Sequence, residues 1–232
     1  MVKLSAGSYD LNKWLHGGYE TDIVTVLYGG SGTGKTNFCL LAGVSQAKKG
    51  KKVIFIDTEG GLSMERVKQL VGEDYKEVFK NILLLKPTNF TEQKKAFEQL
   101  LKYLKEDSKD DIGLIVVDGM TILYRLDFAA AREKNNGEMQ KINSELATQM
   151  KTLAEIARKK EIPILATNQV YNWDNENNMV GGDILKYWSK CHIELTNDKG
   201  KRTAYLRKHR SLPESSLIFQ IYNEGIRKRG WI

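Results

Sequence analysis

Gly29, Gly30, Ser31, Gly32, Thr33, Gly34, Lys35 and Thr36 run together as G-x-x-x-x-G-K-[ST], and gripping a nucleoside triphosphate is the chemistry that needs this pattern. Glycines let a backbone wrap around phosphates, with N–H groups and a helix N-terminus aimed at the negative charge. Lys35 can then neutralise the β and γ phosphates, and Thr36 can give its hydroxyl to magnesium. A second acid for that metal stands in "LIVVDG", where four apolar residues run into Asp118. Glu59 in "IDTEGG" can polarise a water against the terminal phosphate, although an acid before Gly-Gly is also ordinary turn chemistry. Asn168 and Gln169 in "ATNQV" end a third apolar run, where an amide can sense the terminal phosphate and pass its presence to the following loop.

These groups need strands to carry them. Short β-branched runs, "DIVTVLYG", "KVIFIDTE", "NILLLKP", "GLIVVDG" and "IPILATNQV", alternate with stretches of helical spacing. That alternation predicts right-handed βαβ crossovers and a mostly parallel, buried sheet flanked by helices. Met139, Ile142, Leu146, Met150, Leu153 and Ile156 form a helical stripe that Pro163 stops. Beyond Gly182, "CHIELTND", "KRTAYLRKHR" and "LIFQIYNEGI" predict meandering antiparallel strands, with turns at Asp198–Lys199–Gly200 and Asn223–Glu224–Gly225. Asp118, Glu59 and Gln169 then stand at C-terminal strand ends, where open α/β sheets collect ligands.

Composition narrows the classes. The chain has 232 residues, 41% of them hydrophobic, enough for one α/β domain over residues 1–232. No apolar run is long enough for a membrane span or signal peptide, which predicts a cytoplasmic, nucleoid-associated protein with no membrane partner. Two cysteines, Cys39 and Cys191, make neither a disulfide framework nor a zinc set, and both read as reduced core residues. Lys and Arg number 36 against 29 acids, a net charge of +7 that suits a polyanion partner without requiring one.

The opening "LSAGSYDLNKWLHGGYETDIVTVLYGGSGTGKT", followed in order by "IDTEGGLSMER", "LIVVDGMTILYR" and "TNQV", resembles the ATPase core of the RecA/RadA recombinase superfamily over nearly the whole chain. The resemblance implies a RecA-like P-loop core binding ATP and Mg2+, with Glu59 as catalytic carboxylate, Asp118 as the Walker B acid and Gln169 as γ-phosphate sensor. It also implies that Arg66 in "SMER" packs against adenine. The superfamily's full recombinases carry an N-terminal helical DNA-binding domain and a Phe-x-x-Ala tether to the next subunit, and neither stands in its expected place here. "FAAA", residues 128–131, spells the tether but follows the Asp118 strand, and the loop after Gln169 is shorter than in filament-forming relatives. An accessory or mediator role, with weak DNA-dependent ATP hydrolysis, is the natural expectation. Its expected partners are single-stranded DNA and a recombinase or junction-processing enzyme, with homo-oligomers open.

Two segments follow nucleotide-facing strand ends and read as loops able to couple ATP to DNA. The first, residues 125–141, holds Arg125, Arg132, Lys134 and Lys141; the second holds Tyr171, Asn172 and Trp173. Cations for phosphates and aromatics for bases are what sequence-independent single-strand binding needs. In "RKHR", residues 207–210, strand alternation would point Lys208 and Arg210 the same way, toward DNA or toward a neighbouring subunit's γ-phosphate. A KaiC-like stand-alone ATPase acting on proteins is the alternative reading; the P-loop, Glu59 and the Lys208/Arg210 pair suit it equally well.

Overall fold

The computed structural model describes residues 2–107, 111–132, 136–173 and 176–230. A small antiparallel pair, β1 (Lys3–Leu4) and β2 (Tyr19–Glu20), brackets the short helix α1 (Tyr9–Trp14). Then follow β3 (Val24–Gly29), α2 (Lys35–Ala47), β4 (Lys52–Asp57), α3 (Met64–Val71), α4 (Tyr75–Lys80), β5 (Ile82–Leu85), α5 (Phe90–Glu106) and β6 (Ile112–Asp118). Two helices, α6 (Ile122–Arg132) and α7 (Asn136–Lys160), lead to β7 (Ile164–Asn168). The hairpin β8 (Val170–Trp173) and β9 (Glu176–Met179) precedes α8 (Gly182–Trp188). The chain ends in β10 (Cys191–Asp198), β11 (Lys201–Lys208), β12 (Ser215–Tyr222) and β13 (Gly225–Lys228).

One nine-stranded sheet organises these elements, in the order β13-β12-β11-β10-β3-β7-β6-β4-β5. From β10 to β5 the pairs are parallel, and from β10 to β13 they are antiparallel, the expected α/β architecture. Both faces are covered, so β3 and β7 bury every residue and β4 and β6 nearly all of theirs. In β4, Val53 and Phe55 pack toward α2, while Ile54 and Ile56 pack toward α5 and α7. Each such fully buried side chain stabilises the fold by roughly 1.5–3 kcal/mol.

Local chemistry sets the helix ends. Asn89 caps α5 by accepting the Glu92 N–H at 2.9 Å, and the Glu92 carboxylate accepts the Thr88 N–H at 2.8 Å. In α7, Leu146, Met150, Leu153 and Ile156 are buried as the stripe predicts, and the helix stops at Lys160 with Glu161 at φ 53°, ahead of Pro163. Lys199 and Gly200, at φ 46° and 89°, form the tight turn joining β10 to β11.

Three expectations need correction. Residues 125–132 and 136–141 are helix rather than loop, and Leu123, Tyr124 and Ala131 give α6 a buried face. The stretch after Gln169 is a hairpin followed by α8. Finally, β11 ends at Lys208, so strand alternation does not carry on to Arg210.

Candidate functional site

The phosphate loop joins β3 to α2 at the centre of the sheet. Gly29 sits at φ 153°, where a Cβ would lie 2.1 Å from the Leu195 carbonyl oxygen; only glycine lets β10 run this close. Gly34 caps α2 in the left-handed region at φ 111° and makes no side-chain cap bond, so the first-turn N–H groups of this 13-residue helix face the loop without a side-chain acceptor there. Thr33 braces the loop by donating its hydroxyl to the Gly30 carbonyl at 2.9 Å, while Ser31 and Gly32 are exposed at its crest. The Lys35 ammonium is buried and donates to the carbonyls of Gly29 at 3.0 Å and Gly30 at 2.9 Å. Burial pulls its pKa below the usual lysine value, against the opposing pull of Glu59 and Asp118.

Four strand ends line up beside this loop because β3, β7, β6 and β4 are neighbours; Asp57 is paired in register with Asp118, and Tyr28 with Asn168. Asp118 accepts the Thr36 hydroxyl at 2.8 Å on one oxygen and the Thr167 hydroxyl at 2.6 Å on the other. Thr167 in turn accepts the Gly119 N–H at 2.7 Å. Burial raises the Asp118 pKa, and the Thr167 and Thr36 hydrogen bonds oppose that rise. A divalent cation would relieve this buried carboxylate, so Thr36 and Asp118 fit a magnesium ion. Among the described residues no group of three or more His, Cys, Asp or Glu could hold a metal, which makes phosphate oxygens the natural remaining ligands.

Glu59 is placed by Asp57, a residue whose role sequence reading misses. The Asp57 carboxylate accepts the N–H groups of Glu59, Gly60, Gly61 and Leu62 at 2.7–3.2 Å, which fixes the loop that carries Glu59. Thr58 donates to the Gly119 carbonyl at 2.7 Å and joins this loop to the Asp118 strand end. Gln169 donates to Glu59 at 3.3 Å, which brings these two predicted residues together. Beside it, the buried Asn168 accepts the Thr121 hydroxyl at the start of α6 and donates to the Val180 carbonyl at 2.8 Å, beyond the hairpin. Thr167 is the second group missed; only the strand order sets it against Asp118. For Asp57 a signal exists, an aspartate set three residues before Gly-Gly, where its carboxylate can accept the N–H groups of the turn that follows.

Arg66 lies one helix further out. Its guanidinium donates to Asn37 on α2 at 2.8 Å, to Gln69 at 2.9 Å, and to the Tyr222 and Asn223 carbonyls at 2.9 and 3.2 Å. It therefore ties the first turn of α2 to the β12–β13 turn, beside the phosphate loop.

The residues predicted for nucleic acid are less gathered. Arg125 and Arg132 are exposed on α6, and Lys141 is exposed on α7. Phe128 of "FAAA" packs on Tyr124, ring centroids 5.6 Å apart, so it belongs to the core edge. Tyr171 on β8 is 46% exposed. Lys134 and the side chains of Asn172 and Trp173 lie outside the described residues. Lys208 donates to the Lys186 and Ser189 carbonyls at 3.2 and 3.3 Å, a cation at the end of α8. Arg210 turns instead to Asp22 and Glu20, whose side chain is fully buried. Both cations are thus held by the chain itself.

Against known proteins, the Rad51 family model matches residues 1–229. The protein named DNA repair and recombination protein RadB from Methanobrevibacter smithii is 39% identical, covering 93% of this chain and 92% of its own length. The protein of that name from Methanococcus maripaludis strain C7 is 41% identical, covering 93% and 96%. A solved structure titled as the RadB recombinase superposes with a TM-score of 0.78 at 32% identity, covering 98% of this chain and 100% of that one. With the P-loop, the paired strand-end acids and the antiparallel C-terminal strands in place, the chain belongs to the RadB group of the Rad51 family.

Proposed function

We propose that this protein binds Mg-ATP and single-stranded DNA and acts as an accessory factor in recombinational repair, hydrolysing ATP slowly and in a DNA-dependent way. The relatives' names place them in DNA repair and recombination. The observation that carries the reading is the pre-assembled Thr36–Asp118–Thr167 array beside a lysine that donates to two backbone carbonyls. Lys35 would exchange those neutral partners for phosphate oxygens, and Thr36 with Asp118 would hold the metal. Bound Mg-ATP supplies a phosphoanhydride bond and a terminal phosphate to be sensed. Glu59 would accept a proton from the attacking water, Gln169 would leave Glu59 to meet the terminal phosphate, and Arg66 would border the base. Asn168, bonded toward both α6 and the hairpin exit, would pass that state to Arg125, Arg132, Tyr171 and Trp173.

Fluorescence anisotropy of labelled single-stranded DNA, with and without Mg-ATP over a salt series, tests this reading. Affinity that falls steeply with salt and changes with ATP is expected. No binding at low salt would leave the second reading, an ATPase directed at protein partners. Lys208 and Arg210, which suit either reading by sequence, have partners within the chain and choose neither. A recombinase or junction-processing enzyme, or further copies of this chain, would be the protein partners to test.

A further inference from the structure

A second cleft lies at the opposite end of the sheet from the phosphate loop. Its floor is Ile23 and Val24 at the start of β3, its walls are the last turns of α7 and the end of α8, and its volume is about 490 Å3. The length of β3, from Val24 on the floor to Gly29, separates it from the phosphate loop by roughly 17 Å at about 3.3 Å per residue. Nothing in the nucleotide site explains its chemistry.

The floor is apolar, but the uncommitted charge around it has one sign. Arg158, Lys186 and Lys190 are exposed on the rim, and none has a carboxylate partner among the described residues. The two acids there are already occupied: Asp22 pairs with Arg210, and Glu155 lies 3.8 Å from both Lys151 and Lys159. Beside the cations, Tyr187 is 70% exposed and meets Trp188 edge-on, centroids 5.0 Å apart at 83°. The wall is held in shape from behind. Lys208 clasps the α8 carbonyls, and the buried Ser189 hydroxyl is 2.6 Å from the His192 ring.

We infer that this cleft docks a protein partner through a segment bearing one large apolar side chain flanked by carboxylates. Charge complementarity chooses the acidic flanks, and the aliphatic floor chooses the anchor. The shape disfavours nucleic acid: a cleft of this volume takes about one anchoring side chain, and perpendicular rings offer successive bases no continuous platform. The docking goes beyond the ATP and DNA reading and depends on neither, because no residue of the phosphate loop lines the cleft.

The test uses the full chain labelled with 5-fluorotryptophan, the Trp188 resonance being assigned with Trp188→Phe. The probe is a short, end-blocked acidic peptide with one central phenylalanine; the same peptide with alanine there, and oligodeoxythymidylate, are the comparisons. The phenylalanine peptide should shift the Trp188 signal, with and without Mg-ATP. Reversing two rim charges, Arg158→Glu with Lys186→Glu, should weaken it by ~10-fold or more, and Tyr187→Ala should also weaken it. Urea melts and ATP affinity of these surface variants should match the parent, so loss of binding is not loss of fold. No Trp188 shift, an equal response to the alanine peptide, or unchanged affinity in the charge-reversed chain would overturn the assignment. Displacement of the peptide by oligodeoxythymidylate with the same Trp188 shift would overturn it in favour of nucleic acid.

Discussion

Lys35 and Arg210 are both cations in segments that invite an anion, yet they rest in opposite company. Lys35 is buried and donates to two backbone carbonyls, neutral acceptors, and burial lowers its pKa against the more distant pull of Glu59 and Asp118. Arg210 rests on two carboxylates, and its bond to Asp22 leads in raising its pKa. A cation held by carbonyls gains when a phosphate arrives; one held by carboxylates must first give up a partner and strand a buried acid. What a basic residue touches in the resting protein thus separates a ligand group from a structural one better than its place in a basic run.

The comparison can be broken at several points. Arg210→Ala leaves the buried Glu20 without its guanidinium and should cost about 3–5 kcal/mol of unfolding free energy in urea melts. A negligible stability loss together with lost DNA affinity would return Arg210 to the ligand class. His192 adds a third kind of group, kept neutral: burial first, then Lys208, Lys186 and Lys190, lower its pKa from 6.5 to about 4. Above pH 6.5 both folded and unfolded forms are neutral and stability is full. As pH falls from 6.5 to about 4 the unfolded chain takes the proton first, and about 3 kcal/mol is lost. Urea melts across that window should show a shallower pH slope in His192→Gln than in the parent.

Lys35→Ala should weaken ATP binding by ~100-fold, about 2.7 kcal/mol, in a calorimetric titration, with thermal stability unchanged or raised. Normal nucleotide affinity in that variant would overturn the site assignment. The smallest effect belongs to the hairpin. Trp173→Ala should weaken single-stranded DNA binding by about 1–3 kcal/mol in anisotropy and leave ATP affinity intact. Unaltered DNA affinity would make the residue structural.

The sequence is legible where one physical demand dominates. Strands buried on both faces, such as Val53–Phe55–Ile56 in β4, must be apolar throughout, and a phosphate loop must be glycine-rich, so both announce themselves. Asp118 and Gln169 stand out because one ends such a strand and the other directly follows one. The hairpin β8–β9 does not announce itself: Asn172, Asn177 and Asn178 suit a loop as well as a strand. In α6 the cations at Arg125 and Arg132 distract from the helical spacing of Leu123, Tyr124 and Phe128. Thr167 and the resting partners of Arg210 depend on strand order and long-range approach, which local spelling does not encode.

The close passage of Gly29 beneath Leu195 has a consequence for the order of assembly. The phosphate loop is written early in the chain, but both neighbours of its strand, β7 and β10, come from the last third. A polypeptide leaving the ribosome N-terminus first therefore carries the motif long before it owns the pocket. Nucleotide binding becomes a late event of biogenesis, and a truncation ahead of β10 would yield a protein that spells a P-loop and lacks one of the two strands that flank it.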